Sequence, residues 1–247
     1  MQVTDRAEAL LREIVDSPQV LMTPALRRIA RREARALKSA SGEDVLEICN
    51  TLIEHGGSGR VRRAEHGPAY ESRMVAFELV SMHRAASALL NWRELERLGR
   101  TLDGWASVDQ FARKLSGPAW QRGQISDARI SKWATSSDFW WRRTGLVSTI
   151  ALNERHLGKG DAKRTLEICE LFVADRADLH VKALSWALRE LGLRDPEAVT
   201  EFLVLHEQQL APRVVREVRN KLTTGHKLAK PSEAMQRRMQ ERSRPTN

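Results

Sequence analysis

The stretch Leu179-His-Val-Lys-Ala-Leu-Ser-Trp186-Ala-Leu-Arg-Glu-Leu-Gly-Leu193 sets the pattern of the whole chain. Apolar residues recur at Val181, Leu184, Leu188 and Leu191, in steps of three and four, the spacing that lines one face of an α-helix. Gly192 stands where such a helix can end, and Gly99 does the same for another. Outward in both directions the same rhythm continues, carried by Ala, Leu, Arg and Glu with hardly any alternating β-branched run, so an all-α fold is expected. The pattern predicts helices over 4–15, 24–38, 42–54, 70–84, 91–99, 107–115, 126–134, 138–152, 162–174, 179–193, 196–206 and 212–224. Thr23-Pro24, Asp195-Pro196 and Ala211-Pro212 place proline where a first helical turn tolerates a missing N–H, and Thr23 and Asp195 are candidate caps. Many short helices joined by short loops indicate stacked helical hairpins. No repeat of fixed length is visible, so periodicity alone does not give a solenoid.

A chain of 247 residues can form one large domain or an extended repeat array. Its formal net charge of +9 attracts polyanions. Nucleic acid is the first candidate partner and an anionic membrane surface the second. Cys49 and Cys169 have no metal-ligand spacing around them, so neither zinc nor a disulfide framework is expected, and a reduced, cytoplasmic protein fits best. Residues 1–16 are amphipathic without a signal-peptide core, and no stretch approaches the roughly 20 apolar residues of a membrane span, so a soluble chain is expected. There is no Gly-rich phosphate loop of nucleotide-hydrolase type and no helix-hairpin-helix with a Lys nucleophile. No cofactor is implied.

Three short motifs carry chemistry: Trp105-Ala-Ser-Val-Asp109, Phe139-Trp140-Trp141-Arg142-Arg143, and Lys182-Ala-Leu-Ser-Trp186-Ala-Leu-Arg189-Glu190. Positions four apart share a helix face, so Trp105 and Asp109 offer an aromatic plane beside an anion. That pairing suits breakage of a glycosidic bond with a good leaving group. Positive charge then develops on the sugar, where a carboxylate and an indole face both stabilise it. A base alkylated to a cation is such a leaving group and needs little help from a general acid. The residues by themselves only permit this chemistry.

In this order and spacing the three motifs resemble the AlkD-type DNA alkylation repair glycosylases, a family built from HEAT-like helical repeats. The match is specific from about residue 102 to 222 and looser before that. The resemblance implies a curved superhelical stack of antiparallel helix pairs whose concave side holds a DNA duplex. It implies that Trp105, Asp109, Arg143 and Trp186 form the active cleft. Its activity would be excision of positively charged N-alkylated purines such as 3-methyladenine and 7-methylguanine, without turning the lesion out of the helix. By the same likeness the two indoles lie against the deoxyribose, Asp109 stabilises the sugar cation and positions water, and Arg143 holds the DNA backbone. The enzyme would be monofunctional, leaving an abasic site.

Each residue also has a plainer role open to it. Trp105 could be core, and Asp109 an exposed carboxylate or a cap following Ser107; in a cleft crowded with arginine, Asp109 is expected to stay ionised. Trp140 and Trp141 point to different sides of their helix, with Trp140 expected in the core and Trp141 walling the cleft. Arg142 rivals Arg143 for the phosphate. Arg189 could contact DNA or pair with Glu190. Trp92, Trp120 and Trp133 are expected in the core, while His156, His180 and His206 lack metal spacing. Arg27 and Arg31 lie on a basic helix face that is either a solvated surface or a phosphate contact. The loop His55-Gly-Gly-Ser-Gly-Arg-Val-Arg-Arg63 is either a linker or a phosphate-binding arm. Residues 1–225 are expected to form one domain, followed over 226–247 by a mobile basic tail. A monomer acting on alkylated double-stranded DNA is the expectation. The rivals are an inactive DNA-binding module on the same scaffold and a protein-binding helical scaffold.

Overall fold

A computed structural model describes residues 3–17, 21–56 and 70–228. The described residues are helical, with no strand among them. In chain order they form α1 (Val3–Val15), α2 (Thr23–Ala36), α3 (Gly42–His55), α4 (Tyr70–Met82), α5 (Arg84–Ala88), α6 (Trp92–Leu98), α7 (Trp105–Phe111), a π-helical turn (Ala112–Ser116), α8 (Gly117–Gln121), α9 (Asp127–Ala134), α10 (Phe139–Ser148), α11 (Ile150–Asn153), α12 (Ala162–Glu170), α13 (Asp178–Leu191), α14 (Pro196–Leu205) and α15 (Pro212–Thr224). No helix among these is long and apolar enough to cross a membrane.

Short polar side chains set six of the described helix starts by accepting from N–H groups that the first turn leaves without partners. Ser41, Asn91, Ser126, Asp138, Asp161 and Asp195 all do so. Asp195 caps as expected, its carboxylate accepting from Ala198 N–H at 3.0 Å. Thr23 does not. It is the first residue of α2, and Met22 holds the capping position without a side-chain bond, because Pro24 already occupies the first turn. Gly99 and Gly192 end α6 and α13.

Two of the expected helices are broken. The segment 107–115 belongs to a longer run that passes from α7 through the π turn into α8. Pro118 lacks an N–H for the carbonyl of Lys114 and its ring crowds that carbonyl, so the regular ladder cannot continue through this point. The helix expected over 138–152 is interrupted at Thr149, whose hydroxyl donates to the Leu146 carbonyl at 2.7 Å. A short helix, α5, was not visible in the periodicity because its five residues are too few to show a period.

Packing arranges the helices in two layers. α4, α7, α10, α13 and α15 contact one another in succession and form one row; α3, α6, α9 and α12 belong to the other, with α9 packed on α10 and α12 on α13. The interior between them is made of Leu, Ile, Val, Ala and Phe side chains, together with Trp120 and Trp133. Trp120 is buried as expected and donates its indole N–H to Asp127 at 2.6 Å. The three segments that carry the chemical motifs, α7, α10 and α13, are consecutive members of one row.

The Gly-rich loop lies outside the described residues from Gly57 onward, as does the basic tail from residue 229.

Candidate active site

Asp109 lies one turn along α7 from Trp105, whose indole is 42% exposed at the first residue of the helix. The approach to this helix is anchored from α4. Arg73, buried, donates to Asp103 at 2.5 Å and also to the Thr101 carbonyl, which holds the 101–103 loop immediately before Trp105.

Across the row, Arg143 of α10 faces Asp109. Its Nε donates to Oδ1 at 2.9 Å and its Nη2 to Oδ2 at 3.0 Å, the fork geometry in which guanidinium and carboxylate fit best. Its Nη1 donates to the Leu179 carbonyl in the first turn of α13. Arg143 is 4% exposed, so these groups are fully committed to the protein. The side chain fixes Asp109 and ties α7 to α10 and α13.

Arg113, four residues after Asp109, completes the arrangement. Its guanidinium is held by both carboxylate oxygens of Glu154, with Nε donating to Oε2 at 3.2 Å. The guanidinium carbon is 5.5 Å from the centre of the Trp186 ring, and its charge acts on Asp109. Trp186 is half-buried and donates its indole N–H to Glu190 at 3.1 Å. One cation thus lies between the anion of α7 and the indole of α13. The sequence carried a signal for Arg113, since it stands one helical turn from Asp109. It carried none for Glu154, which is brought in from beyond α11.

Burial pushes the Asp109 carboxyl above its ordinary value, and Arg143 and Arg113 oppose that push without cancelling it. Desolvation of the partly buried carboxylate thus outweighs the cations in setting the direction of the shift. Both oxygens accept from Arg143, so the paired form is the carboxylate.

The remaining expected residues fall elsewhere. Arg142 reaches away from Asp109, donating to Asp175 at 3.3 Å and to the Leu171 carbonyl at 3.1 Å, with its guanidinium over Phe172 at 4.6 Å. It fastens the loop before α13. His180 takes part in the same fastening through Asp175 at 2.9 Å. Arg189 donates to Ser185 at 3.2 Å, and Ser185 donates to Glu217 at 2.6 Å, so Arg189 serves the contact between α13 and α15.

The division expected between Trp140 and Trp141 is also corrected. Both are half-buried against the core. Trp141 packs on Phe111 and Trp133, with ring centres 6.0 and 5.0 Å away, instead of walling the cleft at Asp109. Arg27 is bonded to the buried Glu78 at 3.1 Å, a carboxylate that also has Lys114 within 3.5 Å. Arg31 is exposed on the same helix.

Among the described residues no group of three or more His, Cys, Asp or Glu side chains is placed to hold a metal.

Residues 20–222 match the family model described as DNA alkylation repair enzyme. Among solved structures, the crystal structure of smu.31 from Streptococcus mutans UA159 is similar, at 17% identity and a TM-score of 0.49, over 90% of this chain and 98% of that one. No curated protein matches the sequence.

Proposed function

The chain belongs to the DNA alkylation repair enzyme family, and from that premise we propose that it is a monofunctional DNA glycosylase acting on positively charged N-alkylated purines in duplex DNA. The observation that carries this is the Asp109 carboxylate held in one plane by Arg143, one turn from the exposed face of Trp105 and beside the Arg113–Trp186 pair.

The chemistry follows from where charge develops. The bond between C1′ and N9 of the alkylated purine breaks, and its electron pair neutralises the cationic base. The sugar is left with oxocarbenium character. A fixed anion at that point stabilises the transition state without having to reorganise, and the low exposure of Asp109 strengthens the interaction. Trp105 and Trp186 supply aromatic faces for the same charge. Water then adds to C1′, giving up a proton, and an abasic site remains. The leaving base is already cationic, so no acid is required. Extraction of the base from the stack is equally unnecessary when the catalytic groups act on the sugar.

The test is release of free base from duplex DNA containing 7-methylguanine, comparing the wild type with Asp109→Asn. The wild type should release base, and the variant should be slower by a factor on the order of 100 while still binding DNA. Equal rates would remove Asp109 from the mechanism. An inactive wild type that binds DNA would leave a DNA-binding module on the same scaffold.

A further inference from the structure

We propose that a second cleft, on the side of α10 away from Arg143, binds a nucleotide unit through both its base and its phosphate. Trp141 and Arg143 are two residues apart on α10 and therefore project to nearly opposite sides of it. On the Trp141 side, α6, α9 and the start of α10 enclose an open space of about 430 Å³. That lies within the roughly 300–1,000 Å³ usual for small-molecule sites.

Three indoles wall this space: Trp92 of α6, Trp133 of α9 and Trp141. Trp92 and Trp141 are half-buried and Trp133 is 4% exposed, so two rings offer surface to a visitor and the third closes the floor. Trp92, expected in the core, packs against it, and its ring also lines this cleft. Flat apolar walls favour a flat partner.

Charge selects the kind of partner. A cleft with three indoles and Glu96 would suit a cation, but that demand is already met from within the chain. Arg129 lies over the Trp92 ring at 3.8 Å and donates to Glu96 at 3.2 Å, and the same Glu96 oxygen accepts the Trp133 indole N–H at 2.8 Å. With its carboxylate committed, the mouth is left positive. Arg93 stands 4.8 Å from the Trp92 ring centre, and the exposed Lys132 lines the space one turn after Arg129. A planar ring carrying an anion satisfies both features, since bases stack on indoles and on guanidinium planes and a phosphate pairs with Lys132. The ligand class is a nucleotide, either free or as a unit of a single strand. This site is independent of base excision at Asp109.

The experiment follows the indole N–H signals of the full chain by ¹⁵N-correlated NMR, assigned by single Trp→Phe substitutions. Two probes are titrated: deoxyadenosine monophosphate and a 12-nucleotide oligothymidylate. Saturable shifts at Trp92 and Trp141 are expected with at least one probe, and Lys132→Glu should weaken that binding by about fivefold or more. Shifts with the mononucleotide assign the site to free nucleotides. Shifts with the oligonucleotide alone assign it to a strand. Trp92→Leu, which leaves the exposed lysine in place, should weaken binding to the same degree, with an unchanged Trp186 signal reporting an intact fold. The proposal is overturned if neither probe shifts Trp92 and Trp141, if the shifts are confined to Trp105 and Trp186, or if both variants bind as the wild type does.

Discussion

Arg143 gives Asp109 two N–H groups, at 2.9 and 3.0 Å, and spends the rest of its guanidinium on the backbone of α13. The two charges are therefore one unit. Arg143 is inaccessible at 5% side-chain exposure and Asp109 nearly so at 17%, and removing either leaves the other short of a partner in a poorly solvated place. Asp109→Ala should lower the unfolding free energy by about 3 kcal/mol, the scale seen when one half of a buried pair is deleted. The double variant Asp109→Ala, Arg143→Met should lose less than the sum of the two single losses. Urea unfolding of the three variants measures this, and strict additivity would mean that the pair is not coupled.

The pH dependence of base release should report Asp109. Burial raises its pKa above the ordinary value near 3.9, so the acid limb of the activity profile should lie above that pH. The sense for stability is opposite. In the interval between the unfolded pKa and the higher folded one, the folded chain binds more protons, so the contribution of Asp109 to stability falls as pH rises through that interval. Arg113 opposes the upward push, hence Arg113→Gln should move the acid limb to still higher pH. A limb that stays in place or moves downward would take Arg113 out of the field of Asp109.

Helix content and the identity of the chemical motifs were legible because both depend on local spacing. The three-and-four rhythm of Val181, Leu184, Leu188 and Leu191 predicts α13 to within two residues at either end. Trp105 and Asp109 share a helix because four residues make about one turn. Partner choice was less legible, because it is fixed by contacts between distant segments. Arg142 and Arg143 are neighbours of the same type, yet one turns to Asp175 and the other to Asp109, and only the packing of α10 between α7 and α13 distinguishes them. Trp141 gave no local sign that it would pack on Phe111 and Trp133. The break before α8 did have a local sign in Pro118, which the apolar rhythm through Leu115 masked.

The two cysteines should be silent in the folded protein. Cys49 and Cys169 are both 0% exposed, and desolvation raises both thiols well above their ordinary range, so neither supplies a thiolate at neutral pH. A thiol reagent such as dithionitrobenzoate should label neither in native buffer and both in denaturant. Rapid labelling of one in native buffer would mean that its helix opens locally.

Gly145 is the tightest point of α10. A Cβ added there would stand 2.5 Å from the backbone nitrogen of Ala134 and 2.7 Å from its Cα, and neither atom can yield without moving α9. Gly145→Ala should therefore cost about 1–3 kcal/mol, as overpacking against backbone does. Gly123 is the useful contrast. Its φ of +75° strains any side chain, but a Cβ there meets nothing within 4 Å, so Gly123→Ala should cost only about 1 kcal/mol. The two variants also differ in reach. Gly145 lies one turn after Trp141 on the same face of α10, so pushing α9 away should disturb the Trp133–Trp141 contact as well as lower the melting temperature. Thermal unfolding followed by the Trp133 and Trp141 indole signals separates the effects. An unshifted Trp133 signal in Gly145→Ala would show that α9 and α10 accommodate the methyl group without parting.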